Sequence, residues 1–199
     1  MSRRLLALVA VVLAAAVSAG CADDVSPAAR VGKDIVISHD ELMAEVEEWV
    51  KSPTLVDALE VPEAEGAGPG SYSTNLVDLV LTNRIQFDVH HQQLEELGLS
   101  VPDEALTSVR NELVRDAATT LTVAGELDPE FFDQLVMAVA ERTTVGQAMD
   151  PEDYQSWLAE ALADVEVNSR YGTWDAAAGV VLPPTGPRPA PGRDLLVTP

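Results

Sequence analysis

TNLVDLVLTNRIQFDVHHQQLEEL (Thr74–Leu97) is the longest helical pattern in the chain, and its reading decides the fold. Leu76, Val80, Asn83, Phe87 and Leu94 lie near one face, and Val77, Leu81, Ile85 and Val89 widen it. So broad an apolar stripe belongs to a helix buried between neighbours. Gly98 comes next, at the place where a helix ends on a left-handed residue.

Downstream, Leu99-Ser-Val-Pro-Asp-Glu104 opens a second helix that runs to about Thr122. Ser100 or Val101 caps it, Pro102 fits the first turn, and Asp103 and Glu104 suit the positive end of the dipole. Asp128-Pro-Glu130 and Asp150-Pro-Glu152 then repeat one device, an Asp cap with Pro at the first helical position. The first carries Phe131, Phe132, Leu135, Val136 and Val139, and continues or breaks near Thr143 to Met149. The second carries Tyr154, Trp157, Leu158, Ala161 and Leu162. Val165 to Trp174 alternates like one strand, and the Pro- and Gly-rich stretch beyond Ala178 holds too few apolar groups to offset its ordering entropy.

Upstream, Ser52 to Ser73 is an acidic linker with a turn of helix near Leu55 to Leu59. Ser38-x-x-Glu41 is a capping box opening a helix to about Lys51. Leu42, Val46, Trp49 and Val50 form its apolar stripe, with Glu41, Glu45, Glu47 and Glu48 on the wet face. Val31 to Ile37 reads as a short strand with a turn near Gly32 to Asp34. The expected fold class is therefore mainly α, with about five helices and short strands near both ends.

The amino terminus has a separate logic. Arg3 and Arg4 precede an apolar run of thirteen residues, Leu5 to Val17, and Ser18-Ala-Gly-Cys21 comes directly after it. This is the pattern of a secretory signal peptide. A helix of that length spans about 20 Å, short of the roughly 30 Å hydrocarbon core. Ser18 to Cys21 resembles the lipobox of bacterial lipoproteins, which implies cleavage between Gly20 and Cys21 and a diacylglycerol on the Cys21 sulfur, with further acylation such as palmitate. No other cysteine exists, so a disulfide framework is excluded.

All 33 Asp and Glu lie beyond residue 20, against ten of the twelve Lys and Arg, which gives the cleaved chain a net charge of −23. So acidic a surface repels nucleic acid and anionic lipid head groups. Leu182-Pro-Pro-Thr-Gly186 spells a sortase motif, but the segment after it, Pro187 to Pro199, is too short and too polar to hold in a membrane. His90 and His91 diverge by about 100° on a helix and cannot face one ion together. Asp88, His91 and Glu95 share a face that could seat a divalent cation, though a polar solvent face accounts for them as well. No G-x-S-x-G turn and no Gly-rich loop after a strand is present, and carboxylate pairs are too abundant to mark a site. A non-enzymatic protein is expected, without a metal and without a cofactor beyond the covalent lipid. The remaining signal is aromatic. Trp49, Phe87, Phe131, Phe132, Trp157, Tyr171 and Trp174 either pack the core or line an apolar surface that accepts a peptide.

The order of these motifs resembles the SurA-type N-terminal chaperone domain. The resemblance rests on Val31 to Ile37 running into Ser38-x-x-Glu-Leu42, on Leu97-Gly-Leu-Ser-Val101 before Pro102-Asp-Glu-Ala-Leu106, and on Val167-Asn-Ser-Arg-Tyr-Gly-Thr-Trp174. The last segment is similar to the end of small actinobacterial lipoproteins of that group. The resemblance implies a strand near the start pairing with one near the end, and exposed apolar surface that holds unfolded secreted polypeptides. Family members that isomerise X-Pro bonds carry a parvulin domain of about a hundred residues, for which the 25 residues after Trp174 leave no room. The expected organisation is a cleaved signal at 1–20, a tether at 21–30, a helical domain at 31–175 and a Pro-rich disordered tail at 176–199. The expected function is a chaperone-like lipoprotein on the outer face of the cell membrane that binds non-native secreted polypeptides without catalysis. The alternatives are an interaction module for one dedicated envelope protein and, last, a peptidyl-prolyl isomerase.

Overall fold

A computed structural model of the chain describes residues 26–58, 61, 71–115 and 125–184. Among them are six helices: α1 His39–Val50, α2 Pro53–Ala58, α3 Thr74–Glu96, α4 Asp103–Arg115, α5 Pro129–Ala148 and α6 Pro151–Ala161. Five short strands complete it: β1 Ala29–Val31, β2 Ile35–Ile37, β3 Val165–Val167, β4 Thr173–Asp175 and β5 Val180–Leu182. The protein is mainly helical, with small antiparallel strand pairings.

Local chemistry starts and stops the helices. Ser38 Oγ accepts from Glu41 N at 3.2 Å and Ser38 N donates to Glu41 Oε2 at 2.9 Å, closing the capping box of α1. Ser73 Oγ caps α3 from Leu76 N. At the other end Leu99 N donates to Leu94 O and Gly98 N to Glu95 O, a Schellman ending that places Gly98 at φ +63°. Pro102 sits at the cap of α4, because its carbonyl accepts the first helical bond, from Leu106 N. Asp128 Oδ1 accepts from Glu130 N at 2.9 Å and starts α5. Asp150 begins α6 with no such side-chain bond. The weak point expected near Thr143 does not break α5. Thr143 and Thr144 turn their hydroxyls back onto Val139 O and Ala140 O, and buried Val145 holds the last turns to the core.

α3 is the central element. It buries Leu76, Val77, Val80, Leu81, Ile85, Val89 and Leu94 against α1, α5, β1 and β5. The main core gathers most of these with Leu42, Val46, Trp49, Leu162, Val165, Tyr171 and Val181. A smaller core between α4 and α5 holds Val109, Leu127, Phe132, Val136 and Ala140, and Leu55 and Phe131 pack against both.

Four expectations need correction. The turn expected near Gly32 to Asp34 is present, but it divides Val31 to Ile37 between two strands. The chain turns back at Gly32 (φ +56°), so β1 pairs with β2 as well as with β3, and the sheet has three strands in the order β2-β1-β3. Ala28 and Ala29 are buried and Pro27 O accepts from Asn168 Nδ2, so the fold begins inside the expected tether. Val165 to Trp174 is not one strand either. Asn168 turns the chain by accepting from Tyr171 N on its carbonyl and from Arg170 N on its side chain. The chain then forms β4, which pairs with β5, so residues up to Leu182 belong to the fold and the tail does not begin at residue 176. Gly20, Cys21 and the signal segment, part of the acidic linker, the Thr119–Thr122 segment and residues 185–199 lie outside the described residues.

Candidate binding groove

The feature most able to bind a ligand is a groove along α3, walled by α1 and α2 on one side and α5 on the other. Its apolar half encloses about 640 Å³ and is lined by Trp49, Leu55, Phe87, Leu135 and Val139, with Tyr154 and Arg142 among the residues that border it. Its charged half encloses about 490 Å³. Phe87 and Leu135 line both halves.

The helices explain this division. Leu42, Val46 and Trp49 drive α1 onto the core, and Glu41, Glu45 and Glu48 form the neighbouring stripe of the same helix. Within that stripe Glu45 and Glu48 meet the charged half instead of open water, whereas Glu41 stays exposed. The Glu45 side chain is only 11 % exposed and the Glu48 side chain 24 %, which corrects their assignment to a wet face. From α3, Arg84 donates through Nε to both Asp88 oxygens at 3.0 and 2.9 Å, and its Nη1 lies 3.5 Å from Glu45 Oε2. Burial pushes the Glu45 and Asp88 carboxyls above their ordinary range, and Arg84 opposes the shift. Burial also works against the Arg84 charge, but Asp88 and Glu45 outweigh it and hold the guanidinium protonated.

Each histidine is engaged. His91 Nδ1 is 2.9 Å from Glu141 Oε1, a hydrogen bond that raises the imidazole above its usual value and ties α3 to α5. His90 is buried. Its Nδ1 donates to Gln86 O at 2.6 Å, so Nε2 accepts from the Tyr154 hydroxyl at 2.9 Å, and burial lowers its pKa. His39 Nδ1 pairs with the Tyr171 hydroxyl. The cation face of Asp88, His91 and Glu95 is therefore divided between Arg84 and Glu141, with Glu95 Oε1 3.8 Å from His91 Nε2. Among the described residues no group of three or more His, Cys, Asp or Glu is arranged to hold a metal ion.

The seven aromatics do not form one surface. Trp49 and Phe87 line the apolar half and Phe131 the charged half. Phe132 is buried in the smaller core under the Arg110 guanidinium, 5.7 Å from the ring centre. Trp157 packs edge-on against His90 at 5.3 Å. Tyr171 is buried, and Trp174 Nε1 donates to Leu162 O at 2.9 Å. Buried Tyr and Trp usually find partners for their polar ends, and Tyr171 and Trp174 have found them inside the fold.

Sequence reasoning missed the polar atoms beside the groove. Trp49 is 3 % exposed, yet its Nε1 has no acceptor in hydrogen-bonding geometry among the described residues. Glu45 lies close enough for that N–H to favour its charge slightly. Glu48 Oε2 and Glu45 Oε2 are also buried without hydrogen bonds. Only Glu45 and Trp49, four apart on one helix, carried a hint of this in the sequence. Also missed was Glu126, which accepts from Ser52 Oγ at 2.6 Å and from Thr54 N and Oγ1 at 3.3 and 3.0 Å, fixing the start of α2.

No family model, curated protein or solved structure matches the chain. Among the described residues no helix is long and apolar enough to cross a membrane.

Proposed function

We propose that this chain is a lipid-tethered, extracytoplasmic protein that holds non-native segments of secreted polypeptides without chemical change, a chaperone-like role of the kind its SurA-type sequence resemblance implies. The supporting observation is the apolar half of the groove, about 640 Å³ with Trp49, Leu55, Phe87, Leu135 and Val139 on its walls. Its size and lining suit side chains of an extended polypeptide. Weak apolar contact lets a client leave again, and a formal charge of −21 keeps a loaded protein soluble. In this reading Cys21 carries the acyl lipid that keeps the domain at the outer face of the membrane.

The test is aggregation of a chemically unfolded client, monitored by light scattering. Near-stoichiometric protein slows it, and Val139→Asp, which puts a charge on the apolar wall, abolishes the effect while the helical circular dichroism persists. A wild-type protein that neither slows aggregation nor binds unfolded peptide refutes the proposal. Crosslinking that recovers one stoichiometric envelope partner would favour the dedicated interaction module.

A further inference from the structure

The groove has an apolar half and a charged half, and the charged half is incompletely neutralised. Glu41, Glu45, Glu48, Asp88 and Glu141 line it against Arg84 and His91. Internal partners occupy most of these carboxylates. Glu41 is taken by the Ser38 amide, Asp88 by Arg84 and Glu141 by His91. Two oxygens are left over. Glu48 Oε2 is buried without a hydrogen bond, its Oε1 being held by Lys51. Glu45 Oε2 has the 3.5 Å approach of Arg84 Nη1, and the Trp49 N–H leans on the same carboxylate without reaching hydrogen-bonding geometry. One residue beyond Glu48 on α1, Trp49 Nε1 is a buried donor with no acceptor in hydrogen-bonding geometry, on a side chain that lines the apolar half. Buried polar atoms in native proteins are nearly always satisfied, so the incompletely met Glu45, Glu48 and Trp49, beside an apolar groove whose charged half holds five carboxylates against Arg84 and His91, favour a basic ligand.

We propose that the groove selects peptide segments in which an apolar residue stands beside Lys or Arg. The cation pairs with the Glu45 and Glu48 carboxylates. A backbone carbonyl of the segment accepts from Trp49 Nε1. The neighbouring apolar side chain enters the space between Leu55, Phe87, Leu135 and Val139. An acidic segment is rejected, because it would bring like charge to the same carboxylates. A second copy of this chain is a poor occupant for the same reason, given its formal charge of −21. This inference rests on the proposed peptide-holding function and names its preferred clients.

Fluorescence anisotropy of three labelled peptides of equal length, built from Leu with Lys, Gln or Glu, tests it on the purified full chain. The Leu/Lys peptide binds about tenfold tighter than the Leu/Gln peptide at low salt, the worth of one charge-assisted contact, and the Leu/Glu peptide binds weakest. The preference shrinks at high salt. Glu45→Gln with Glu48→Gln removes the preference but keeps Leu/Gln binding, which also reports that the domain is folded. Equal binding of Leu/Lys and Leu/Gln, both lost in Val139→Asp, overturns this inference and leaves the peptide-holding function standing. Binding of none of the three overturns both. A preference that survives the double substitution, or sedimentation showing a dimer that excludes peptide, overturns the assignment to this groove.

Discussion

Replacing Gly172 with Ala tests the most exacting contact in the carboxy-terminal part of the fold. Gly172 links the Asn168 turn to β4, with φ +137°, a backbone region that residues with a side chain rarely adopt. A Cβ built there would lie 2.1 Å from the backbone oxygen of Leu182 and 3.0 Å from Val181 Cγ1. The first contact is with main chain in β5, so no rotamer change relieves it. Either β5 moves away from β4 or the turn distorts. Both disturb Val181, which is buried and donates through its N–H to Thr82 Oγ1 at 2.9 Å. Backbone strain costs about 1–2 kcal/mol, and the steric displacement about 1–3 kcal/mol more. The expected loss of about 3 kcal/mol corresponds to roughly 6–12 °C in Tm for a domain of this size. Gly32→Ala is the matched control. It also has positive φ, +56°, but nothing lies within 4 Å of the added Cβ, so only the strain of about 1 kcal/mol applies. Thermal and urea unfolding monitored by circular dichroism measures both. If Gly172→Ala melts no lower than Gly32→Ala, the close packing of β5 on this turn is wrong, and with it the extension of the fold to Leu182.

Ser38→Ala removes the hydroxyl half of the α1 capping box and should cost about 1 kcal/mol in urea unfolding, with the helix content nearly unchanged. In an NMR titration of the histidines, His91 should titrate above 6.5 and His90 below it. The sign of their linkage to stability is opposite: the His91–Glu141 pair stabilises below 6.5 and fades as pH rises through its raised value, whereas the neutral His90 buried under Tyr154 stabilises above 6.5 and fades as pH falls through its lowered value. His91→Asn should therefore remove stability at mildly acid pH and little at alkaline pH. Cys21→Ala should move the protein from the membrane fraction to the soluble extracytoplasmic fraction. Retention in the membrane would refute the lipid tether.

The elements that short-range chemistry specifies were legible in the sequence. Ser38 with Glu41, Gly98 after the long stripe, and Asp128 with Pro129 each satisfy backbone groups within a few residues of themselves, so their spacing alone carries the information. Contacts between distant residues were not legible. Glu126 fixing Ser52 and Thr54, His91 reaching Glu141, and Tyr171 meeting His39 join positions 50 to 132 residues apart, with no local pattern at either end. The β4–β5 pairing was hidden because Val180 to Leu182 lies next to prolines, and its main-chain partners lie in a segment whose alternation read as one continuous strand.

The groove was half legible for a related reason. The apolar period of α1 located Leu42, Val46 and Trp49 correctly, and the adjoining glutamates were read as solvated because a lone amphipathic helix has one wet side. In the fold α1 is bordered by α3 and α5, so Glu45 and Glu48 border a shared groove instead of open solvent. Packing on α3 and facing α5 across the groove turned part of an ordinary polar face into a row of partly desolvated carboxylates. That desolvation gives them their value. At full exposure, an ion pair between Glu45 or Glu48 and a client lysine would contribute about 0–1 kcal/mol, too little to select one segment over another. In the proposed complex the same pair would form beside Trp49 and Phe87, where water is partly displaced, and discrimination of about tenfold would be attainable.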